Sequence, residues 1–253
     1  MNQAHVAEPV SLLPAHARDS TVAADFTMPG TQSTPAPMSR RELEQRRLIH
    51  RHDSVRPHAD AFRELRTRLL GLAGSRSFVT MVAPVTGRCG GSFVARNLTA
   101  AFAFDDNRSA ILVDCDGRRP SQHSALGVDI PRGGVMDYLD DPTLDPASVV
   151  YETGLERVGL VPAGRTKEIV GEGFSSPRMH LLVDTLRGSD PCRHLVLDSP
   201  AVLGSPDARI LSELVDFVVL VAGHGRTTME AIEKAASAFT PGKLAGVVFN
   251  QGR

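Results

Sequence analysis

From residue 58 onward, short and almost unbroken apolar runs alternate with stretches in which apolar residues recur every three or four positions. The runs are SFVTMVA (77–83), SAILVD (109–114), ERVGLVPA (156–163), HLVLD (194–198), DFVVLVA (216–222) and LAGVVFN (244–250). Helical spacing predicts helices over 58–74, 92–104, about 133–140, 175–187, 206–214 and 227–238. Apolar runs without polar alternation belong to parallel strands buried on both faces, and helices between them cover those faces. The predicted fold class is α/β: a doubly wound, mostly parallel sheet with helices on both faces and a ligand crevice at the carboxyl ends of its strands.

Upstream the pattern is different. Residues 1–38 carry Pro9, Pro14, Pro29, Pro35 and Pro37 among Ala, Ser and Thr, with too little apolar content to offset the entropy of ordering, and are predicted to be a disordered tail. In SRRELEQRRLIHRH (39–52), Ser39 and Glu42 have capping-box spacing at the head of a short arginine-rich helix. Residues 39–57 therefore read as a basic helical linker, with a docking element as the alternative, and 58–253 as the folded domain.

Composition narrows this picture modestly. A chain of 253 residues, 42 % hydrophobic, has enough for one sizeable core but not for two. A formal charge of −1 offers nothing to nucleic acid, so no nucleic-acid partner is expected. Arginine outnumbers lysine 25 to 3, and none of Lys167, Lys234 and Lys243 lies near a candidate loop. Cys89, Cys115 and Cys192 have neither pairing nor metal-ligand spacing, which points to a reducing compartment. No membrane span or signal pattern is read, so a cytoplasmic location is expected, with any attachment to the inner membrane peripheral and through a partner.

Three clusters fall at predicted strand ends. In APVTGRCGGSF (83–93), the phosphate-loop pattern GxxxxGK[ST] lies over residues 85–92; Gly90 and Ser92 match, Val85 replaces the first glycine and Gly91 the lysine. Gly87, Gly90 and Gly91 let the backbone aim N–H groups at an anion, and Ser92 suits Mg²⁺; a glycine-rich strand-to-helix turn explains the loop equally well. In ILVDCDGRRP (111–120), Asp114 and Asp116 share a face, which suits a hydrated Mg²⁺ and a base for a hydroxyl, and Arg118 and Arg119 can meet phosphate or a neighbouring subunit. A solvated loop is the alternative. In HLVLDSPAV (194–202), Asp198 ends an apolar strand, as either a metal carboxylate or a turn cap.

Taken together, these residues resemble the bacterial tyrosine kinases (BY-kinases) of capsule and exopolysaccharide assembly, within the P-loop MinD/ParA-like superfamily. The resemblance covers about residues 58–250. ILVDCDGRRPSQHSALGV is similar to the family's D-x-D-x-R-x-P segment, LVLDSPAVLGSPDARILSELVDFVVLV to its Walker B stretch, and GVVFN to its closing strand. Asp60, Arg63 and Arg66 resemble its E-x-x-R-x-x-R oligomerisation element, and ELEQRRLIH the lead-in of exopolysaccharide members. The resemblance implies ATP or ADP with Mg²⁺, a homo-oligomer, and a membrane polysaccharide co-polymerase (chain-length determinant) as partner. It assigns Ser92, Asp114 and Asp198 to the metal, Asp116 to the tyrosine hydroxyl, and Gly87, Arg88, Gly90, Gly91, Ser92, Arg118 and Asn250 to the nucleotide.

Two departures bear on function. Gly91 stands at the lysine position, with Arg88, Arg96 and Arg118 as the nearby substitutes, and the family's tyrosine-rich tail has no counterpart, Tyr138 and Tyr151 being the only tyrosines. The leading expectation is a kinase-like subunit of an exopolysaccharide export machine, working by nucleotide or partner binding with weak or absent catalysis. The alternatives are an active tyrosine autokinase or ATPase using arginine for lysine, and a MinD/ParA-like positioning or scaffold protein.

Overall fold

A computed structural model describes residues 35–50, 56–74, 76–168 and 170–252. The tail expected over 1–38 falls almost wholly outside them, as does part of the 39–57 linker. In chain order the elements are α1 (Arg40–Gln45), α2 (Arg56–Ala73), β1 (Val79–Pro84), α3 (Gly91–Phe102), β2 (Ser109–Asp114), α4 (Gln122–Leu126), α5 (Val135–Asp140), β3 (Tyr151–Glu152) and β4 (Val158–Val161). They continue with α6 (Gly171–Phe174), α7 (Pro177–Arg187), β5 (Arg193–Asp198), α8 (Asp207–Leu211), β6 (Phe217–Gly223), α9 (Met229–Ala236) and β7 (Leu244–Asn250).

The seven described strands form one sheet in the order β3-β4-β2-β5-β1-β6-β7. All neighbours pair in parallel except β3, whose two residues run antiparallel to β4 at the edge. The doubly wound α/β sheet is thus as the apolar runs predict; the antiparallel β3 and the short α4 and α6 are not foreseen, because so few residues cannot display a period.

Strand alternation splits the interior into two cores. Met81, Ile111, Val113, Leu195, Leu197 and Leu220 face one side, under Tyr138, Phe174, Met179, Leu182 and Ile232 of α5, α6, α7 and α9. Val82, Leu112, Val196 and Val219 face the other, under Phe62 and Leu69 of α2 and Val94, Leu98 and Phe102 of α3. Leu72, three residues beyond the buried Leu69 on α2, is 53 % exposed although helical spacing alone would place it on the same face.

Ser39 caps α1 in the expected box, its N–H donating to Glu42 Oε2 at 2.8 Å. Beyond it Arg47 turns the chain with a φ of 55°, and Leu48, Ile49 and His50 are buried. Ile49 N donates to Asn97 Oδ1 at 2.7 Å, and Asn97 Nδ2 returns a bond to Arg47 O. Arg46 Nη1 reaches Ala125 O at the end of α4. Burying Leu48 and Ile49 contributes about 1.5–3 kcal/mol each, so this stretch docks on α3 as part of the core.

Candidate functional site

Because β1 lies between β5 and β6, and β2 beside β5, the carboxyl ends of β1, β2 and β5 open side by side. The three clusters legible in the sequence meet there. Asp114 and Asp198 are partners in the β2–β5 register, and Asp198 also pairs with Val82 of β1.

The loop after β1 is held in one shape by its glycines. Gly90 has a φ of 84° and Arg88 one of 66°, both left-handed. The Asn250 amide occupies the space a β-carbon on Gly90 would need, and its Nδ2 donates to Cys89 O at 2.9 Å, so the last strand clamps the loop. Val94 N then bonds Gly90 O and α3 begins. At Gly91 a β-carbon would stand 2.7 Å from Pro84 Cδ and 2.9 Å from Pro84 Cγ. The first atoms of a lysine side chain would therefore collide with the proline ring ending β1. Cys89 sits between the hydroxyls of Thr86 and Thr227; burial pushes its thiol up, but these hydrogen bonds outweigh it and the net shift is downward.

On the acidic side, Asp114 accepts the N–H groups of Asp116, Ser121 and Gln122 at 3.0–3.1 Å, which draws the 115–122 loop around it. Burial pushes its carboxyl up to about 6. Burial, and then the charge of Asp114, push Asp198 further, to about 8. Asp198 Oδ2 accepts Gln122 Nε2 at 2.6 Å, and the same amide donates to Ser92 O at 3.0 Å. Arg96 Nη1 completes the chain by donating to Gln122 Oε1 at 3.2 Å. Gln122 thus ties the start of α3 to the acid pair. Sequence reading passed over it, because an isolated amide carries no spacing signal.

A nucleotide with its metal fits this arrangement in part. Asp198 Oδ1 is buried without a hydrogen-bond partner, and the Ser92 hydroxyl stabilises the ionised form of the same carboxylate, so a cation or its bound water has a place there. The exposed Gly87 and the left-handed Gly90 leave the loop backbone open to an anion. The lysine position does not fit, for want of room. Among the described residues no group of three His, Cys, Asp or Glu side chains forms a self-sufficient metal cage.

The remaining candidates divide. Asp116, two residues past the end of β2, is buried, its Oδ1 accepting Arg119 N at 3.2 Å. Arg88 is exposed at the loop apex. Arg118 donates from Nε to Glu168 O at 2.9 Å, and its Nη2 lies 3.7 Å from Asp207 Oδ2. On α2, Asp60 pairs with Arg63 at 2.8 Å, Arg63 lies over Phe104, and Arg66 Nη1 donates to Ala101 O at 2.9 Å near the end of α3. Both tyrosines are buried with their hydroxyls engaged: Tyr138 donates to Arg178 O, while Tyr151 donates to Gly133 O and accepts Arg132 N.

Comparison with known proteins places this geometry in context. No protein-family model matches the chain. It is 30 % identical over 208 residues to the putative tyrosine-protein kinase EpsB of Ralstonia solanacearum, covering 80 % of this chain and 27 % of that protein. It is 26 % identical over 212 residues to the tyrosine-protein kinase YwqD of Bacillus subtilis, covering 81 % and 86 %. The kinase domain of the Escherichia coli tyrosine kinase ETK superposes with a TM-score of 0.70 at 22 % identity, covering 85 % of this chain and 87 % of that one. The chain spans about a quarter of the length of the first curated relatives it matches. No helix of the described residues is long and apolar enough to cross a membrane.

Proposed function

With the chain homologous to the bacterial tyrosine-protein kinases and built on their P-loop, MinD/ParA-like fold, we propose that it is a kinase-like subunit of an exopolysaccharide or capsular-polysaccharide synthesis and export system. In this reading it binds ATP or ADP with Mg²⁺ at the 85–92 loop, transfers phosphoryl weakly or not at all, and acts in chain-length control through a membrane co-polymerase. The observation that carries the weak-catalysis half is the Pro84 ring packed where a side chain at position 91 would begin. A single missing stabiliser of transition-state charge costs on the order of 10²–10³ in rate.

The rest of the site supports binding. Nucleotide and metal, when bound, supply the transferable phosphoryl group and its charge neutralisation. The chain's own part is to present loop N–H groups to phosphate, to hold the cation side with Ser92 and Asp198, and to offer Asp116 to an acceptor hydroxyl. Tyr138 and Tyr151, buried with their hydroxyls already bonded, are not presented as acceptors. Self-association through Asp60, Arg63 and Arg66 is part of the same proposal.

Isothermal titration with Mg-ATP and Mg-ADP, combined with transfer of label from γ-labelled ATP to the chain and to a tyrosine-containing copolymer, tests both halves. The expected result is binding, with transfer no higher than that of Asp116→Asn. Robust wild-type tyrosine phosphorylation overturns the weak-catalysis half; absence of binding overturns the nucleotide half.

A further inference from the structure

Resting on the nucleotide reading, we infer that Arg119 supplies the positive charge that faces a phosphate bound at the loop, in place of a lysine on α3. Arg88 and Arg96 of the loop and α3, and Arg118 and Arg119 after β2, stand near the crevice, and their surroundings separate them. Arg96 is bound behind the loop, spending its Nη1 on Gln122 Oε1 within the network that reaches Asp198. Arg118 is drawn away to Glu168 O and the Asp207 carboxylate. Arg88 is exposed at the apex with no hydrogen bond or ion pair among the described residues, so fixing its long side chain on a ligand costs its full rotamer freedom.

Of these four, Arg119 leans over the loop from the opposite wall. Its Nη1 lies 3.4 Å from the point a β-carbon on Gly87 would occupy, which places the guanidinium against the loop backbone. Its base is fixed by its own N–H, which donates to Asp116 O and Oδ1, and its Nη2 stands 3.5 Å from Asp116 Oδ2. One edge of the planar fork is thus held by the carboxylate assigned to the acceptor hydroxyl, and the remaining N–H donors belong to a side chain that is 62 % exposed. A guanidinium preset in this way recognises a phosphate chain with little further ordering. Gly87 fits the same picture, since a side chain there would crowd the guanidinium.

Titrate wild type, Arg119→Ala, Arg119→Lys and Arg76→Ala with Mg-ATP and with inorganic tripolyphosphate. Arg76 is exposed just before β1, at the opposite end of the sheet from the loop, and carries the same charge change. Arg119→Ala is expected to raise the Kd for both probes at least tenfold and to flatten their dependence on salt; Arg119→Lys recovers part of the loss, and Arg76→Ala stays within twofold. Because Arg119 is mostly exposed, its melting temperature serves as a check that the fold is unchanged. If wild type binds Mg-ATP and Arg119→Ala binds within twofold of it, the inference is overturned while the nucleotide reading stands. If wild type binds neither probe, the nucleotide reading fails and takes the inference with it.

Discussion

On the β1 side of the crevice, the Pro84 ring closes over Gly91 and no lysine rises from the start of α3; on the β2–β5 side, two carboxylates lie buried side by side, linked to Arg96 through an amide. The loop keeps its shape without its cation because that shape comes from backbone torsion and the Asn250 clamp. The acid pair keeps its place for a different reason, since three backbone N–H groups hold Asp114 and Gln122 holds Asp198. The geometry of the loop and its charge are therefore separable: one is a property of the chain path, the other of a single side chain.

The strongest way to break this contrast is at Gly90. Gly90→Ala forces a β-carbon into a left-handed residue, costing about 1–2 kcal/mol, and displaces the Asn250 amide, costing about 1 kcal/mol more. Urea denaturation should register a loss of about 3 kcal/mol, and adding Asn250→Ala should relieve the collision so that the two changes are not additive. A loss below about 1 kcal/mol would mean the loop is not held this way.

Cutting the link between the two sides has a smaller effect. Gln122→Leu leaves Asp198 Oδ2 and Arg96 without their shared partner inside the protein, an expected loss of about 2 kcal/mol. The coupling should vanish when measured on an Asp198→Asn background. Equal losses on both backgrounds would show that Gln122 packs there without bridging.

The smallest effect sharpens the acidic side alone. Burial raises the Asp198 carboxyl from 3.8 to about 8, so the folded chain holds a proton that the unfolded chain releases, and stability is lost as pH rises through the folded value. His194, lowered to about 4 mainly by burial, acts in the opposite sense only between about 4 and 6.5, which makes pH 7 to 9 the informative window. Without Mg²⁺ the melting temperature should fall by on the order of 4 °C across it. Asp198→Asn should flatten that slope, and Mg²⁺ should restore stability at the alkaline end. A wild-type slope equal to that of the variant would remove the Asp198 proton from the account.

Much of this was legible along the chain, for reasons that differ by feature. The parallel sheet announces itself because strands buried on both faces need unbroken Val, Leu and Ile, as in SAILVD and DFVVLVA. The loop and the two strand-end aspartates are visible because a strand's end is local. Arg119 and Gln122 were not distinguished from their neighbours, because their roles are set by which wall of the crevice each side chain meets. The same holds for Leu48 and Ile49, apolar residues in a charged stretch whose burial depends on Asn97 of α3.

The sequence by itself determined the α/β class, the order of its longer elements, the glycine loop and the carboxylates at strand ends, since each is written in residue type and short-range period. Only the tertiary structure decided what the glycine at position 91 means. A missing lysine reads along the chain as one absent charge; in the fold it is an occupied volume, because the chain returns Pro84 to within contact distance of Gly91. Steric exclusion between residues on different elements has no period to read, and it appears only when the backbone path is known.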